Sequence, residues 1–245
     1  MIPRTPPTLL LIAHGSRDPR HAATVEALAG GVRALRPGLE IATAYLDHCA
    51  PRVPQVVSRL AGRPAVAVPL LLNRAFHAKH DIPAALRSAG APLPLADVLA
   101  PSPLLLDALD RRLAQAGLAV GSAAVRARTG VVLAAAGSSD PAADAATRAL
   151  ARQWQRSRGW GGVEVAYASA TGPRVPDALA TLRAQGLRHT AVAPYLLAPG
   201  LLPDRITEAA TEADLIAPVL GAAPELAQLI LHRYEAARIS TRLAA

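Results

Sequence analysis

Leu9-Leu10-Leu11-Ile12-Ala13-His14-Gly15-Ser16-Arg17-Asp18-Pro19 is the stretch that decides the fold. Five apolar residues lead into a histidine and a glycine, and Asp18-Pro19 then opens an alanine-rich amphipathic segment. The pattern predicts a buried parallel strand, a tight turn, and a helix with Asp18 as N-cap and Pro19 at its first position. His14 then stands at the carboxyl end of a strand, where open α/β sheets place their ligands. The phrase recurs as Val131-Val132-Leu133-Ala134-Ala135-Ala136-Gly137-Ser138-Ser139-Asp140-Pro141, with Ala136 in place of the histidine.

Outward from that phrase, Val25, Leu28, Ala29, Val32 and Leu35 keep helical spacing up to Pro37-Gly38. Strands are predicted over 40–46, 65–72 and 95–98, and helices over 51–60 and 103–115. Asn73 to His80 reads as a loop, with Asp81 capping a helix that carries Pro83 in its first turn. Pro51-Arg52-Val53-Pro54 returns as Pro173-Arg174-Val175-Pro176, the same offset of 122 that relates Leu9 to Val131. Pro69-Leu70-Leu71-Leu72 is echoed by Pro194-Tyr195-Leu196-Leu197, and Ala100-Pro101 by Ala217-Pro218.

Strands alternating with helices over this length predict the α/β class with right-handed crossovers. We read two homologous β-α-β-α lobes with parallel sheets, residues 1–120 and 128–245, and expect an active-site cleft between the lobes. Only the first lobe keeps histidines at its strand ends.

Composition bounds the rest. The 245 residues are 51% hydrophobic and 18% charged, values of a globular chain. No apolar run reaches the ~18 residues of a membrane-spanning helix, and Leu9 to Ala13 is too short for the core of an export signal. We therefore expect a cytoplasmic protein. Cys49 is the sole cysteine, which excludes an internal disulfide and a cysteine-rich zinc site. The net charge of +8 comes from scattered arginines, with Lys79 the one lysine and no interleaved aromatics, so nucleic acid is not expected. A monomer is the default, because the duplication supplies both lobes.

His14, Asp47 and His77 each follow a predicted strand of the first lobe and are expected to converge. Two imidazoles and a carboxylate suit either an exchangeable site for a borderline divalent ion or acid/base work near pH 7. A phosphate-binding G-x-x-x-x-G-K-[ST], a G-x-G-x-x-G and a G-x-S-x-G are all absent. Ser16 lies too close to His14 in sequence for a nucleophile–base pair. His80 is either a ligand beside His77 or a solvated residue, and His21, His189 and His232 read as surface residues.

Ile12-Ala13-His14-Gly15-Ser16-Arg17-Asp18-Pro19, Val68-Pro69-Leu70-Leu71-Leu72 and Phe76-His77-Ala78-Lys79-His80-Asp81-Ile82-Pro83 together resemble the sirohydrochlorin chelatase family, the CbiX/SirB type. Tyr45-Leu46-Asp47 with Pro51 to Pro54 resembles that family's second strand and turn, where glutamate usually stands in place of Asp47. The resemblance spans the chain as a tandem form, specific in the first half and degenerate in the second. It implies a class II chelatase, a lyase that inserts a divalent ion into a tetrapyrrole without a nucleotide. No prosthetic group is implied; Fe²⁺ or Co²⁺ and sirohydrochlorin are the substrates, for siroheme or cobalamin synthesis. His14 and His77 match the family's metal-binding, proton-accepting histidines, and Asp47 matches the acidic residue. Ser16, Arg17, Arg74 and Lys79 are candidate substrate contacts. A non-catalytic tetrapyrrole or metal carrier is the reading from another class, motivated by the halved histidine complement. A solute-binding protein would share the two lobes but carry an export signal.

Overall fold

The computed structural model describes residues 6–74, 77–90, 92–169 and 172–243. In the first repeat, β1 (Thr8–Ala13), α1 (Pro19–Leu35), β2 (Ile41–Tyr45), α2 (Val53–Leu60) and β3 (Ala65–Pro69) follow in order. A π-helical turn, His77–Asp81, then runs into α3 (Ile82–Ser88), and α4 (Pro103–Gln115) closes the repeat. After α5 (Ala123–Arg128) the second repeat gives β4 (Thr129–Ala135), α6 (Pro141–Arg158), β5 (Gly162–Tyr167), α7 (Val175–Ala184) and β6 (His189–Tyr195). It ends with α8 (Leu201–Ala209), β7 (Leu215–Ile216) and α9 (Pro224–Leu243).

The first sheet is parallel in the order β2-β1-β3, with Leu9 beside Ile41 and Val66, and the second runs β5-β4-β6-β7. Each sequence step of strand, helix, strand returns the chain to the same edge, which only a parallel pairing allows. The first strand of each repeat is central and wholly buried, as its unbroken apolar run requires.

The two repeats bury matching positions. Leu10, Ile12, Ala44, Val53, Val57, Ala67 and Ile82 form one cluster, and Val132, Ala134, Ala166, Val175, Leu179, Val192 and Ile206 form its counterpart. Aliphatic side chains fill both, as the scarcity of aromatics demands.

Several local expectations change. The strand expected over 95–98 is a single bridge between Ala67 and Leu95. Pro69 has no N–H to carry the ladder on to Ala96, and the Val98 N–H turns to Asp97 Oδ1 at 2.7 Å. The helix expected from Pro51 begins at Val53. Asp81 is itself helical (φ −70°, ψ −46°) and makes no side-chain capping bond. It does not cap because the π turn already supplies a helical residue before it.

The compact units cut across the repeats. One holds the residues up to Ser102 and those from Ala222 onward, and the other spans Pro103–Gly221. The last helix of each repeat therefore belongs to the unit of the other. In the second unit, Trp154 Nε1 of α6 donates to Asp110 Oδ1 of α4 at 2.8 Å, and the Arg112 guanidinium donates to the Leu220 carbonyl at 2.5–2.9 Å. In the first, Gly31 lets α1 and α9 pack closely, since a Cβ there would lie 3.2 Å from that of Ala227. The Tyr234 hydroxyl donates to the Pro7 carbonyl at 2.6 Å. Among the described residues no helix is long and apolar enough to cross a membrane.

Candidate functional site

The site grows from the end of β1. Parallel pairing continues one step past the strands, with the Leu46 N–H donating to the Ala13 carbonyl at 3.0 Å and the Asp47 N–H to that of His14 at 2.8 Å. Gly15 makes this possible. Its φ is +96°, and a Cβ there would stand 1.7 Å from the Asp47 carbonyl oxygen. The same two loops are clipped again at Cys49, whose thiol donates to the Ser16 carbonyl at 3.0 Å and accepts from the Ser16 N–H at 3.4 Å. Cys49 is thus a structural clip between the two loops.

The turn itself is closed by its own side chains. Ser16 Oγ accepts the Asp18 N–H at 3.1 Å, and Asp18 caps α1 by accepting the Arg20 N–H at 2.9 Å. The hydrogen bonds from the Arg20 side chain and then its backbone hold the Asp18 carboxyl below its ordinary value. The second repeat builds the same turn, with Ser138 Oγ accepting from Asp140 N at 3.0 Å and Asp140 from Ala142 N at 3.0 Å.

At the end of β2 the structure adds a residue that sequence reading passed over. The His48 ring stands edge-on to that of His14, centroids 6.1 Å apart and planes at 85°. His48 has φ +61°, a left-handed backbone rare outside glycine. Asp47 Oδ1 accepts the His48 N–H at 2.8 Å and an Arg52 N–H at 2.9 Å, and Oδ2 lies 3.5 Å from His48 Nε2. The His48 N–H and then Arg52 hold the Asp47 carboxyl below its ordinary value, so it is a carboxylate at neutral pH. The signal in the sequence was the imidazole immediately after the chosen acid.

Beyond β3, His77 opens the π turn, while its side chain and all of Phe76 lie outside the described residues. The turn has an origin visible in the repeats. Leu71 and Leu196 are equivalent, each accepting from the residue that follows the sheet, Leu99 or Leu220, at 2.9 Å. Ile82 and Ile206 are equivalent buried residues. Eleven positions separate the first pair and ten the second. A single extra residue in a helix is what a π turn absorbs, and such turns concentrate at functional sites. In the second repeat α8 starts directly at Leu201, and no histidine stands between Leu196 and Ile206.

The other expected contacts are distributed around these loops. Arg17 is exposed, Lys79 and His80 are exposed on the π turn, and Arg74 pairs with Asp97 at 2.7 Å. Burial pushes the Asp97 carboxyl up, but the Arg74 and Val98 N–H hydrogen bonds outweigh it and leave it low. His189 and His232 are exposed as expected. His21 is not: it is half-buried against the Tyr45 ring, centroids 6.3 Å apart, and desolvation lowers its pKa. Burial also pushes the Tyr45 hydroxyl up to about 12.

The second repeat keeps the scaffold without the chemistry. Ser169 N donates to the Ala136 carbonyl at 2.9 Å, the bond that Asp47 makes to His14, and the Ser169 hydroxyl adds a second at 2.6 Å. Arg52 and Arg174 each donate to a carbonyl at the end of the neighbouring strand, Leu46 at 2.6 Å and Tyr167 at 3.0 Å. Among the described residues no group of three or more His, Cys, Asp or Glu side chains is gathered closely enough to hold a metal ion.

Comparison with known proteins follows the same division. The CbiX family model matches twice, over residues 8–116 and 130–237. The sirohydrochlorin ferrochelatase of Priestia megaterium is 27% identical, covering 92% of this chain and 88% of the relative. The sirohydrochlorin cobaltochelatase of the same organism is 25% identical, covering 82% of this chain and 67% of the relative. Among solved structures, SirB from Bacillus subtilis with Fe³⁺ superposes with a TM-score of 0.79 at 21% identity, covering 96% of each chain, which shows the shared fold. With both repeats matched by one family model, this chain is a tandem member of the CbiX family.

Proposed function

We propose that this protein is a sirohydrochlorin chelatase that inserts a divalent metal ion, Fe²⁺ to give siroheme, into the tetrapyrrole without a nucleotide. One observation carries the reading. Three adjacent strands of the first sheet, in the order β2-β1-β3, lead into Asp47, His14 and His77, whereas the same scaffold in the second repeat carries Ser169 and Ala136 and has no histidine between Leu196 and Ile206. One repeat is equipped for an ion and the other is not.

The chemistry follows from the donors. Metallation releases the two pyrrole N–H protons as the ion exchanges its waters for four ring nitrogens. Neutral imidazole binds borderline divalent ions and accepts protons near pH 7. His14 and His77 hold the ion loosely, then take the departing protons as it transfers. The Asp47 carboxylate contributes negative charge beside them, held ionised by the His48 N–H and Arg52. Few donors favour release, since a full ligand set would retain the ion. Arg17, Lys79 and the turn at Ser16 are the candidate contacts for the carboxylates of the macrocycle rim.

The names of the two curated relatives frame the choice of ion. Iron is preferred here because the ferrochelatase matches more of the chain, and cobalt is the second reading. An anaerobic absorbance time course of sirohydrochlorin with Fe²⁺ or Co²⁺ and no ATP tests both. Acceleration over the spontaneous rate, lost in His14→Ala and in His77→Ala, is expected. A bound tetrapyrrole spectrum with no acceleration for either ion overturns the enzyme reading and leaves a carrier.

A further inference from the structure

Resting on the reading that the first unit handles a divalent ion, we propose that His48 is a further ligand of that ion, sharing it with His14, and that Asp47 fixes the His48 ring. The rings are already near the separation that sharing one ion requires. A metal–nitrogen bond of about 2.1 Å sets each imidazole centre about 3.2 Å from the ion, so two rings sharing one ion have centres ~5.2 Å apart at a tetrahedral angle and at most ~6.4 Å apart, and a rotation of either side chain covers the difference. His14 and His48 stand at 6.1 Å.

The loop holds His48 there. Its left-handed backbone (φ +61°) is an unfavourable conformation for an L-residue and persists only where surroundings enforce it. The enforcing contacts are the Asp47 N–H on the His14 carbonyl at 2.8 Å, the close approach of Gly15 and the Cys49–Ser16 clip. Asp47 then sets the ring. Its Oδ2 lies 3.5 Å from His48 Nε2, the placement of a carboxylate behind a metal-ligating histidine. A proton on Nε2 facing that carboxylate leaves the lone pair on Nδ1 for the ion.

The internal repeat separates this role from scaffolding. Arg52, which bonds a strand-end carbonyl, is kept as Arg174. His14, Asp47 and His48 are replaced together, by Ala136, Ser169 and Ala170 at the positions 122 residues on. A histidine needed only to close the loop would have no reason to disappear with the other two.

The test uses Co²⁺ alone as probe on the full chain, followed by visible absorption and by proton NMR of the paramagnetic complex. His48→Leu is expected to weaken Co²⁺ binding about tenfold or more and to remove one strongly shifted imidazole N–H resonance. Asp47→Asn is expected to weaken binding less and to speed exchange of that same proton. Wild-type protein labelled with ¹⁵N-histidine keeps the proposal testable if His48→Leu fails to fold, since His48 Nδ1 must be among the nitrogens broadened by substoichiometric Co²⁺. Affinity within twofold of wild type with all shifted resonances retained, or an unbroadened His48 Nδ1, overturns it. The two readings fail separately. Cobalt held through His48 without metallation of sirohydrochlorin leaves this site and removes the chelatase, whereas metallation with His48 untouched by Co²⁺ does the reverse.

Discussion

The N–H of Asp47 donates to the carbonyl of His14 at 2.8 Å, one step beyond the last paired residues of β1 and β2. That bond makes the loop after β2 an extension of the sheet, so the groups at the two strand ends are held with the rigidity of a ladder. The repeat of the bond between Ser169 and Ala136 shows that the backbone device belongs to the fold and does not depend on the side chains it carries.

Gly15 is the residue on which that junction depends. Gly15→Ala sets a Cβ 1.7 Å from the Asp47 carbonyl oxygen on a backbone with φ +96°. Left-handed backbone alone costs an alanine roughly 1–2 kcal/mol, and relieving the overlap requires the Asp47 loop to move. We expect thermal unfolding to drop by several degrees and metallation to be lost even where the protein still folds. Wild-type activity in a folded Gly15→Ala variant would show that the junction does not matter.

Much of this was legible beforehand, and the exceptions have physical causes. Apolar runs ending in His14 and Ala136, repeated at one offset, specify parallel strands because period and punctuation are local properties of the chain. The exchange of α4 and α9 between units was not legible. An amphipathic stripe such as Leu105, Leu106, Leu109 and Leu113 shows that a helix is covered, not which sheet covers it. His48 escaped because a left-handed residue redirects its side chain in a way that alternation along a strand does not anticipate. His21 escaped because one turn of an exposed-looking helix face lies against Tyr45.

Glu235 ties α9 to the first unit and gives stability a dependence on acid. It accepts from Arg36 and, at 2.6 Å, from Arg238. Burial pushes its carboxyl up, but the Arg238 and Arg36 hydrogen bonds prevail and hold it below the ordinary 4.5. A depressed carboxyl stabilises the fold above its unfolded value and loses that contribution as pH falls through the folded one. Glu235→Gln is therefore expected to cost on the order of 1 kcal/mol at pH 7 and less at about pH 3, where the carboxyl moves toward its protonated form. Urea unfolding at the two pH values measures the difference. An equal cost at both would remove charge from the explanation.

Asp110 has the opposite sign. Burial raises its carboxyl above 3.8, and the hydrogen bond from Trp154 and the charge of Arg158 offset only part of that. A raised carboxyl contributes most below its unfolded value and loses stability as pH rises through the folded one. The Trp154 N–H is thus most needed when Asp110 is ionised. Trp154→Phe is expected to cost about 1–3 kcal/mol more at pH 7 than at about pH 3.5, the penalty of a buried carboxylate without its donor. Denaturant midpoints that fall equally at both pH values would assign the loss to packing alone.

The π turn at His77–Asp81 lies in a connection, Leu71 to Ile82, that is one residue longer than its counterpart Leu196 to Ile206, and deleting Ala78 brings these two connections into register. Ile206 shows that the shorter connection still buries the helix, since it is 1% exposed where Ile82 is 0%. The deletion variant should therefore fold, with α3 preceded by ordinary α-helical turn. Residues before the deletion then rotate by about 100° relative to those after it, because one α-helical residue subtends that angle. His77 is turned away from whatever direction the π turn gave it, although the histidine is still present. We expect far-UV circular dichroism and the unfolding midpoint to stay close to wild type while metallation falls as far as in His77→Ala. An Ala78 deletion that folds and metallates at the wild-type rate would detach the extra residue from function and leave the π turn as an accident of the repeat.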